Sequence, residues 1–386
     1  MKNKVFVIMK EDIINYPPAI TVIKTLVDLG YQVFHIGNYS DIEQKNDLKN
    51  KGVHFIETEP YNGLKNLVSK YIQQYKFRKI VNHTLNEYNA NKKDFVWLLN
   101  AETIVLLSNL TKNYKTIFHY FEFTTPYVNW KYRLVNPYFN PYKANRETYR
   151  IIQCEYNRAH IFKAFLHLNE LPIIMPNKPY EGKSDNLIIP IDIMVVIDNL
   201  KKKIDNRKVI LYQGVFQGKD RRLNEFLEAT YQLPSDYVFV AMGSDSPAYR
   251  ELKEKYESDC IIFVPFIRPP YHLEITKLAT LGILSYVANE DTVAGVINPI
   301  YCAPNKIFEY SKFGKPMLAN DLPGLSTIFR IYDCGETIDY PITSQKVAKT
   351  IFKITEKYQR YSEGALNFYN SVDIKKCVEQ ILSDKK

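Results

Sequence analysis

Short runs of apolar residues alternate along the chain with segments in which apolar residues recur every three or four positions. The runs have the length of buried strands, and the segments have the period of amphipathic helices. This alternation of strands and helices predicts an α/β fold with parallel sheets. The predicted strands cover residues 4–9, 31–36, 53–56, 95–99, 116–120, 150–154, 208–213, 237–242, 261–265, 282–287 and 317–319.

Glycine and proline residues indicate where many of the predicted helices end. The first helical pattern follows Tyr16-Pro17-Pro18 and ends at Gly30, and the segment 179–204 reads as a polar connection. A chain of 386 residues can form two domains that each bury a core. We place these domains at residues 1–190 and 191–361. Further helices are predicted at 64–89, 155–168, 223–231, 272–281, 305–311 and 347–382.

Composition and charge narrow the class of protein. The chain is 46% hydrophobic and 24% charged, which is typical of a folded soluble protein. No signal peptide and no apolar stretch of membrane-spanning length are evident, so we expect a cytoplasmic protein. The five cysteines are scattered and have no metal-ligand spacing, which agrees with a reducing compartment.

Positive charge is concentrated in the first half of the chain. Residues 1–190 contain 25 Lys and Arg against 17 Asp and Glu, whereas residues 191–386 contain 26 against 25. The first half could therefore face an anionic membrane surface or a phosphorylated acceptor, or it could be a basic solvated surface. No recognition helix, zinc finger or RNA-binding motif supports nucleic acid as the partner.

The segment 298–325, NPIYCAPNKIFEYSKFGKPMLANDLPGL, contains the most informative pattern. Pro304 suits the start of a helix, and Gly314 suits its end. Asn305 and Glu309 are four residues apart and share one face of that helix. The free N–H groups at the helix start would attract an anion such as phosphate, and a carboxylate one turn later could accept hydrogen bonds from sugar hydroxyls. The alternative is an ordinary surface helix followed by a strand and a turn at 320–324.

Two further segments are candidates for binding or catalysis. Residues 214–222, GVFQGKDRR, form a cation-rich loop between a strand and a helix, which suits a diphosphate. Residues 127–149 are dense in aromatic and cationic side chains, which suits a sugar or a lipid interface, or else a packed surface loop.

The phrase PNKIFEYSKFGKPMLANDLPGL resembles the donor-sugar segment of retaining GT-B glycosyltransferases, close to glycosyltransferase family four. The resemblance covers most of the chain and is strongest over residues 208–325. It implies two Rossmann-like domains with a cleft between them, an acceptor in the first and a nucleotide sugar in the second. It also implies that a C-terminal helix, about 362–386, packs back on the first domain.

The resemblance assigns roles to residues of the second domain. Glu309 would bind the ribose, and Lys219 with Arg222 or Arg221 would neutralise the leaving diphosphate. Either Phe266 or Ile267 would pack on the nucleotide base. The family has a second glutamate eight residues before Glu309, and this chain has Tyr301 there. The remaining implied donor-binding residues are Gly214, Ala303, Pro304, Asn305 and Lys306.

In the first domain the resemblance places a histidine or an acidic group near the reacting carbon. His119 and Glu122 in the run TIFHYFEF are both candidates, although a histidine in an apolar run can equally belong to the core. Tyr16, Trp130 and Arg133 are the acceptor-binding candidates.

The expected function is transfer of a sugar, with retention, from a nucleotide sugar to a glycan or lipid-linked glycan. We expect no cofactor beyond the nucleotide sugar itself, with a UDP-sugar favoured, and no metal, since the chain has no Asp-x-Asp triplet. Surface polysaccharide biosynthesis at the inner face of the cell membrane would fit the resemblance. The alternatives are a catalytically idle GT-B binding protein, a GT-B sugar-nucleotide epimerase and a phosphorylase.

Overall fold

The structure, a computed structural model, describes residues 3–60, 66–125, 136, 139–181, 189–216, 221–289 and 291–384. The chain divides into two compact units. The first comprises Met1–Gly182 and Asp373–Lys386, and the second comprises Lys183–Val372.

The first unit is built around a parallel sheet that is seven-stranded within the described residues. Its strand order is β3-β2-β1-β4-β5-β6-β7, and every pairing is parallel. The strands are β1 (Lys4–Asp12), β2 (Gln32–Asn38), β3 (His54–Glu57), β4 (Phe95–Leu99), β5 (Lys115–Tyr120), β6 (Arg150–Gln153) and β7 (Ile173–Ile174). Its helices are α1 (Pro17–Asp28), α2 (Ile42–Asn50), α3 (Leu67–Glu87), α4 (Ala101–Leu107), α5 (Pro141–Glu147), α6 (Tyr156–Leu166) and, near the end of the chain, α16 (Ile374–Leu382).

Continuous apolar runs make the central strands of this sheet. Val5 to Met9 of β1 are fully buried, as are Val96 to Leu99 of β4, because helices cover both faces of a parallel sheet. The polar helix α2, which the sequence analysis did not predict, begins where the Asp41 carboxylate accepts a hydrogen bond from the Gln44 backbone N–H at 3.0 Å.

The second unit contains a parallel sheet of six described strands in the order β10-β9-β8-β11-β12-β13. The strands are β8 (Lys208–Gly214), β9 (Tyr237–Gly243), β10 (Ile261–Pro265), β11 (Leu281–Leu284), β12 (Met317–Asn320) and β13 (Gly335–Ile338). The helices are α7 (Ile191–Ile204), α8 (Asn224–Thr230), α9 (Pro247–Tyr256), α10 (Leu273–Leu278), α11 (Val293–Ile300), α12 (Asn305–Lys312), α13 (Pro323–Tyr332), α14 (Ser344–Glu356) and α15 (Tyr358–Ser371).

The core of the second unit occupies both faces of its sheet. Val209 and Leu211 of β8 belong to one buried cluster, and the alternate residues Ile210 and Tyr212 belong to another. Gln213 continues the face of Val209 and Leu211 and lies near the carboxyl end of the strand, where its polar side chain is only 3% exposed.

Other features also differ from the sequence analysis. The units divide at Gly182/Lys183 rather than at 190/191, and residues 191–204 form helix α7 instead of a connection. Pro323 and Gly324, predicted to lie in a turn, begin helix α13. The C-terminal segment forms three helices, and the part that packs in the first unit begins at Asp373 rather than near 362, because α15 packs on α12 and α13 of the second unit.

Each sheet has one position at which the strand order reverses, between β1 and β4 in the first unit and between β8 and β11 in the second. At such a position the connections leave in opposite directions and open a crevice at the carboxyl ends of the strands, where α/β proteins bind ligands. These two edges are therefore where candidate sites are sought.

Candidate functional site

The reversal point of the second sheet contains a buried carboxylate, Glu309 on α12, with only 8% of its surface exposed. One carboxylate oxygen, Oε2, accepts a hydrogen bond from the Gln213 side-chain amide at 2.6 Å. The other, Oε1, lies 3.2 Å from His272 Nε2. Gln213 in turn accepts a hydrogen bond from the Thr276 hydroxyl at 2.8 Å. Strand β8, the start of α10 and α12 thus meet at one charge.

Electrostatics keeps this carboxylate ionised. Burial pushes the pKa of Glu309 upward, but His272, Gln213 and the charge of Lys306 outweigh burial, so the pKa lies below its usual value. Each carboxylate oxygen has two lone-pair sites and can accept a second hydrogen bond. Glu309 can therefore still accept hydroxyl donors from a ligand.

Two cations lie on the ring of Tyr286, and one of them, Lys306, also acts on the charge of Glu309. The Arg221 guanidinium is 4.1 Å from the centre of the Tyr286 ring, and the Lys306 ammonium is 5.7 Å from the same centre. The Lys306 ammonium also lies 4.4 Å from the Tyr212 ring centre. Aromatic faces attract cations, so the rings of Tyr286 and Tyr212 help to hold positive charge at this edge of the sheet.

Gly214 is required where the backbone approaches Lys306. Its φ is +137°, and a Cβ atom there would lie 2.7 Å from the Lys306 ammonium nitrogen. A larger residue would be strained and would displace the lysine.

Helix α12 begins at this cluster with backbone N–H groups that no side chain caps. Pro304 is the N-cap residue, not the first helical residue, and its side chain cannot accept a hydrogen bond. Asn305 and Lys306 follow in the first turn and are half-buried. A helix start of this kind attracts an anion, and here it lies next to two cations.

The other predicted donor-site residues do not all lie at this cluster, since some belong to the core or to the exposed surface. Tyr301 ends α11 and is half-buried, as is Ala303. Phe266 is 58% exposed, whereas Ile267 is 4% exposed and belongs to the core, so Phe266 is the one available to a ligand. Arg222 is 64% exposed and forms an ion pair with Glu225 in the first turn of α8, so the arginine at the cluster is Arg221. Lys219 lies outside the described residues.

The first-unit candidates are placed differently from one another. His119 is fully buried between Trp97 and Phe121, with ring centres 6.1 and 4.7 Å away, and neither ring nitrogen has a hydrogen-bond partner within the described part of the chain. Burial lowers the pKa of His119 to about 3, so the ring is neutral. Glu122 is exposed, and its charge helps to raise the pKa of Tyr16. The position of His119 is that of a core residue.

The reversal point of the first sheet has its own opening, which we name the first-unit cavity. It has a volume of about 760 Å³ and is lined by the ends of β1, β2 and β3 and the start of α4. Tyr16, one of the acceptor-binding candidates, lines it and stacks on Phe121 at 5.7 Å. Trp130 and Arg133, the other two candidates, lie outside the described residues.

Sequence reasoning missed several residues of these sites. Gln213 left one signal, since a polar residue ending an apolar run marks a strand end that points to a ligand edge. His272 and Thr276 left none, because their proximity to Glu309 depends on the packing of α10 against α12. Glu11 also escaped notice, although it lines the first-unit cavity.

Among the described residues no helix is both long and apolar enough to cross a bilayer. Within the same ranges no group of three or more His, Cys, Asp or Glu side chains could hold a metal ion.

Comparison with solved structures confirms the fold. HepE from Anabaena bound to UDP-glucose aligns with a TM-score of 0.67 at 16% identity over 98% of both chains. A glycosyltransferase from Rickettsia africae aligns with a TM-score of 0.67 at 13% identity over 98% of this chain and 96% of its own. WaaG, a glycosyltransferase involved in lipopolysaccharide biosynthesis, aligns with a TM-score of 0.59 at 15% identity over 98% of both.

The fold is GT-B, with two Rossmann-like units, as predicted. At these identities the likeness extends to the fold. No family model matches the sequence, and no curated protein is significantly similar to it.

We expect His119→Phe to leave function intact and to improve stability in acid. The folded pKa of about 3 lies below the ordinary value of 6.5, so the unfolded chain binds a proton more readily and stability falls as the pH drops through that range. A phenylalanine fills similar space without buried nitrogens and removes this loss. Urea unfolding between pH 7 and pH 4 would measure the effect. Burial also lowers the pKa of His35, to about 4. Because His35 is present in both proteins, its loss of stability in acid is the same in both and cancels in the comparison. A folded His119→Phe protein with abolished turnover would contradict the core assignment.

Proposed function

We propose that this protein is a glycosyltransferase that takes a sugar from a nucleotide-sugar donor held in its second unit. The observation that carries the proposal is the Glu309 cluster, an ionised buried carboxylate beside two cations and an uncapped helix start. A nucleotide sugar has the matching groups, since its ribose has two hydroxyls and its diphosphate is an anion. The complexes of HepE with UDP and UDP-glucose support a UDP-sugar as the donor.

In this proposal each part of the cluster has one task. Glu309 accepts hydrogen bonds from the ribose, while Gln213 and His272 hold its carboxylate in place. Arg221, Lys306 and the first N–H groups of α12 surround the diphosphate. Negative charge grows on the diphosphate as the glycosidic bond breaks, so these groups stabilise the transition state more than the bound donor.

The finer features of the reaction are proposals as well. We propose retention of the anomeric configuration, no metal requirement, and a glycan or polyprenyl-diphosphate-linked glycan as the acceptor in the first unit. The family resemblance supports the first two. WaaG, involved in lipopolysaccharide biosynthesis, supports a role in surface polysaccharide formation.

A second candidate function is a GT-B protein that binds a nucleotide sugar without transferring it, or that epimerises it. Tyr301, which stands where the resembling family has its second glutamate, favours this candidate. Slow hydrolysis of UDP-glucose without an acceptor separates a transferase from an idle binding protein, because a transferase also transfers its sugar slowly to water.

Glu309→Ala should weaken binding of UDP-glucose by roughly ten- to a hundred-fold. A hydrogen bond to a charged group contributes about 1.5–3 kcal/mol, and each 1.4 kcal/mol is about a tenfold change in affinity. Isothermal calorimetry measures the effect directly. Glu254→Ala, an exposed carboxylate of α9, serves as the matched control and should leave affinity unchanged. Equal affinities in the two variants, with both folded, would refute the ribose assignment.

Arg221→Gln should reduce turnover by on the order of 10²–10³, and it should affect binding much less. The adjacent Arg222→Gln is the control, because Arg222 pairs with Glu225 at the surface. Release of UDP from UDP-glucose in the presence of EDTA gives the rate and also tests the metal-free proposal. Activity that needs added magnesium or manganese would contradict that part. A larger loss in Arg222→Gln than in Arg221→Gln would reverse our assignment of the arginine.

Peripheral membrane association is the last proposal, and it rests on the concentration of Lys and Arg in residues 1–190. Anionic lipid attracts a basic surface by about 1 kcal/mol per nearby cation, and salt screens that attraction. We therefore expect co-sedimentation with phosphatidylglycerol vesicles at low salt and release at high salt. The proposal is contradicted if the protein sediments equally with neutral phosphatidylcholine vesicles, or if it sediments with neither kind of vesicle. The acceptor would then be a soluble molecule.

A further inference from the structure

The first-unit cavity has a charge that opposes the charge of its own half of the chain. Residues 1–190 carry excess Lys and Arg, yet within the described part of the chain four carboxylates line the cavity together with one lysine, Lys45. The four belong to Glu11, Asp12, Glu57 and Glu102. This acidic lining lies where β1 is flanked by β2 and β4, at the edge that binds ligands in α/β folds.

Local ion pairs offset part of this acidic charge. Lys45 lies 2.9 Å from Glu57, and the buried Lys10 lies 3.0 Å from Glu102. The Asp12 carboxylate accepts hydrogen bonds from the backbone N–H groups of Ile14 and Ser40. Counting both lysines, the cavity keeps an excess of negative charge.

Two polar groups on the cavity wall have hydrogen-bonding capacity that the described residues do not use. Tyr39 is 3% exposed, and its hydroxyl has no hydrogen-bond partner there. Glu11 binds the Asn100 amide at 2.8 Å through one oxygen, while the other oxygen is buried and has no partner in the same ranges. Buried polar groups are usually paired, so unused ones on a cavity wall indicate groups that a ligand satisfies.

The electrostatic environment agrees with this description. Burial, together with the neighbouring Glu102, raises the pKa of Glu11. Burial and the charges of Glu11, Glu122 and Glu102 raise the pKa of Tyr16 to about 12. Burial is the larger cause of both shifts, and the neighbouring carboxylates add to it.

We infer that the first-unit cavity binds the acceptor through an uncharged or cationic polyhydroxylated group, a sugar end, and excludes phosphorylated groups. This inference rests on the proposed glycosyl transfer, and it specifies which part of a lipid-linked glycan enters the cavity. Sugar hydroxyls donate to the free Glu11 oxygen and exchange hydrogen bonds with the Tyr39 hydroxyl. The Tyr16 ring offers a face for the apolar side of a pyranose.

A phosphate or diphosphate would be repelled in the same place. The negative phosphate oxygens would approach the Glu11 and Asp12 carboxylates. Repulsion between like charges weakens binding, so the cavity discriminates against a phosphorylated group. A volume of about 760 Å³ falls within the usual range for small-ligand sites. The diphosphate of a lipid-linked acceptor must then lie outside the cavity.

The test is ligand-observed NMR titration of the full chain with a defined panel. The neutral probes are the methyl glycosides of glucose, galactose, mannose and N-acetylglucosamine, and the anionic probe is glucose 6-phosphate. At least one neutral glycoside should bind, and it should bind more tightly than glucose 6-phosphate. Glu11→Gln should weaken the neutral probe about tenfold, the loss expected for one charge-assisted hydrogen bond. Glu11→Gln should also reduce the difference in affinity between the neutral glycoside and glucose 6-phosphate.

Two further variants keep the result interpretable. Glu147→Gln removes an exposed carboxylate of α5 and should change nothing. Tyr39→Phe removes a hydroxyl while keeping the ring, and should weaken the same glycoside if Glu11→Gln proves unstable. The inference is overturned if no neutral probe binds, if glucose 6-phosphate binds more tightly, or if the folded cavity variants bind like the wild type.

The outcome is distinguishable from failure of the proposed function. UDP-glucose binding to the second-unit site, and its dependence on Glu309, are measured in a separate experiment on the full chain. Glycoside binding without UDP-glucose binding would preserve the cavity assignment and refute the transferase proposal. The reverse result would preserve the donor site and refute the acidic acceptor cavity.

Discussion

The second unit depends on the burial of one negative charge. Moving a carboxylate out of water is costly unless charges and hydrogen bonds replace the lost hydration. At Glu309 the replacement comes from three separate elements, with Gln213 at the end of β8, His272 at the start of α10 and Lys306 on α12. The buried charge is stable only when all three partners are correctly placed. The end of β8 and the helices α10 and α12 are therefore held in one arrangement. The same alignment brings the start of α12 and Arg221 to the sheet edge.

The aromatic residues around this charge support the cations as well as the core. Tyr310 follows Glu309 on α12, and its hydroxyl donates to the Leu211 carbonyl at 3.0 Å, which ties the helix to β8. Its ring fills the space above Gly282, where a Cβ atom would lie 2.4 Å from it. Tyr286 presents its ring to Arg221 and Lys306. A glycine in β11 thus allows α12 to approach closely enough for the cations and the carboxylate to meet.

Six strands of the first sheet follow the same order as the six strands of the second, but the side chains at the two ligand-binding edges differ in charge. In the second, cations and helix N–H groups surround the edge at β8, which suits an anion. In the first, Glu11 and Asp12 end β1, and the cavity beside them carries negative charge. A common fold supplies the position of both sites, and the side chains at the strand ends decide what each one attracts.

The sequence by itself determined the fold class and most of the strands, because buried parallel strands are continuous apolar runs and need no distant partner to be recognised. It also indicated Glu309 and the start of α12, since proline, glycine and spacing within one helix are local signals. Tertiary structure alone decided which cation belongs to the cluster, because Arg221 and Arg222 are adjacent and differ only in the direction they face after folding. It likewise placed His119 in the core and Glu11 beside a cavity, since burial depends on what the other strands and helices cover. The partners of Glu309 are separated from it by as many as 96 residues, and no pattern along the chain records a contact made by packing.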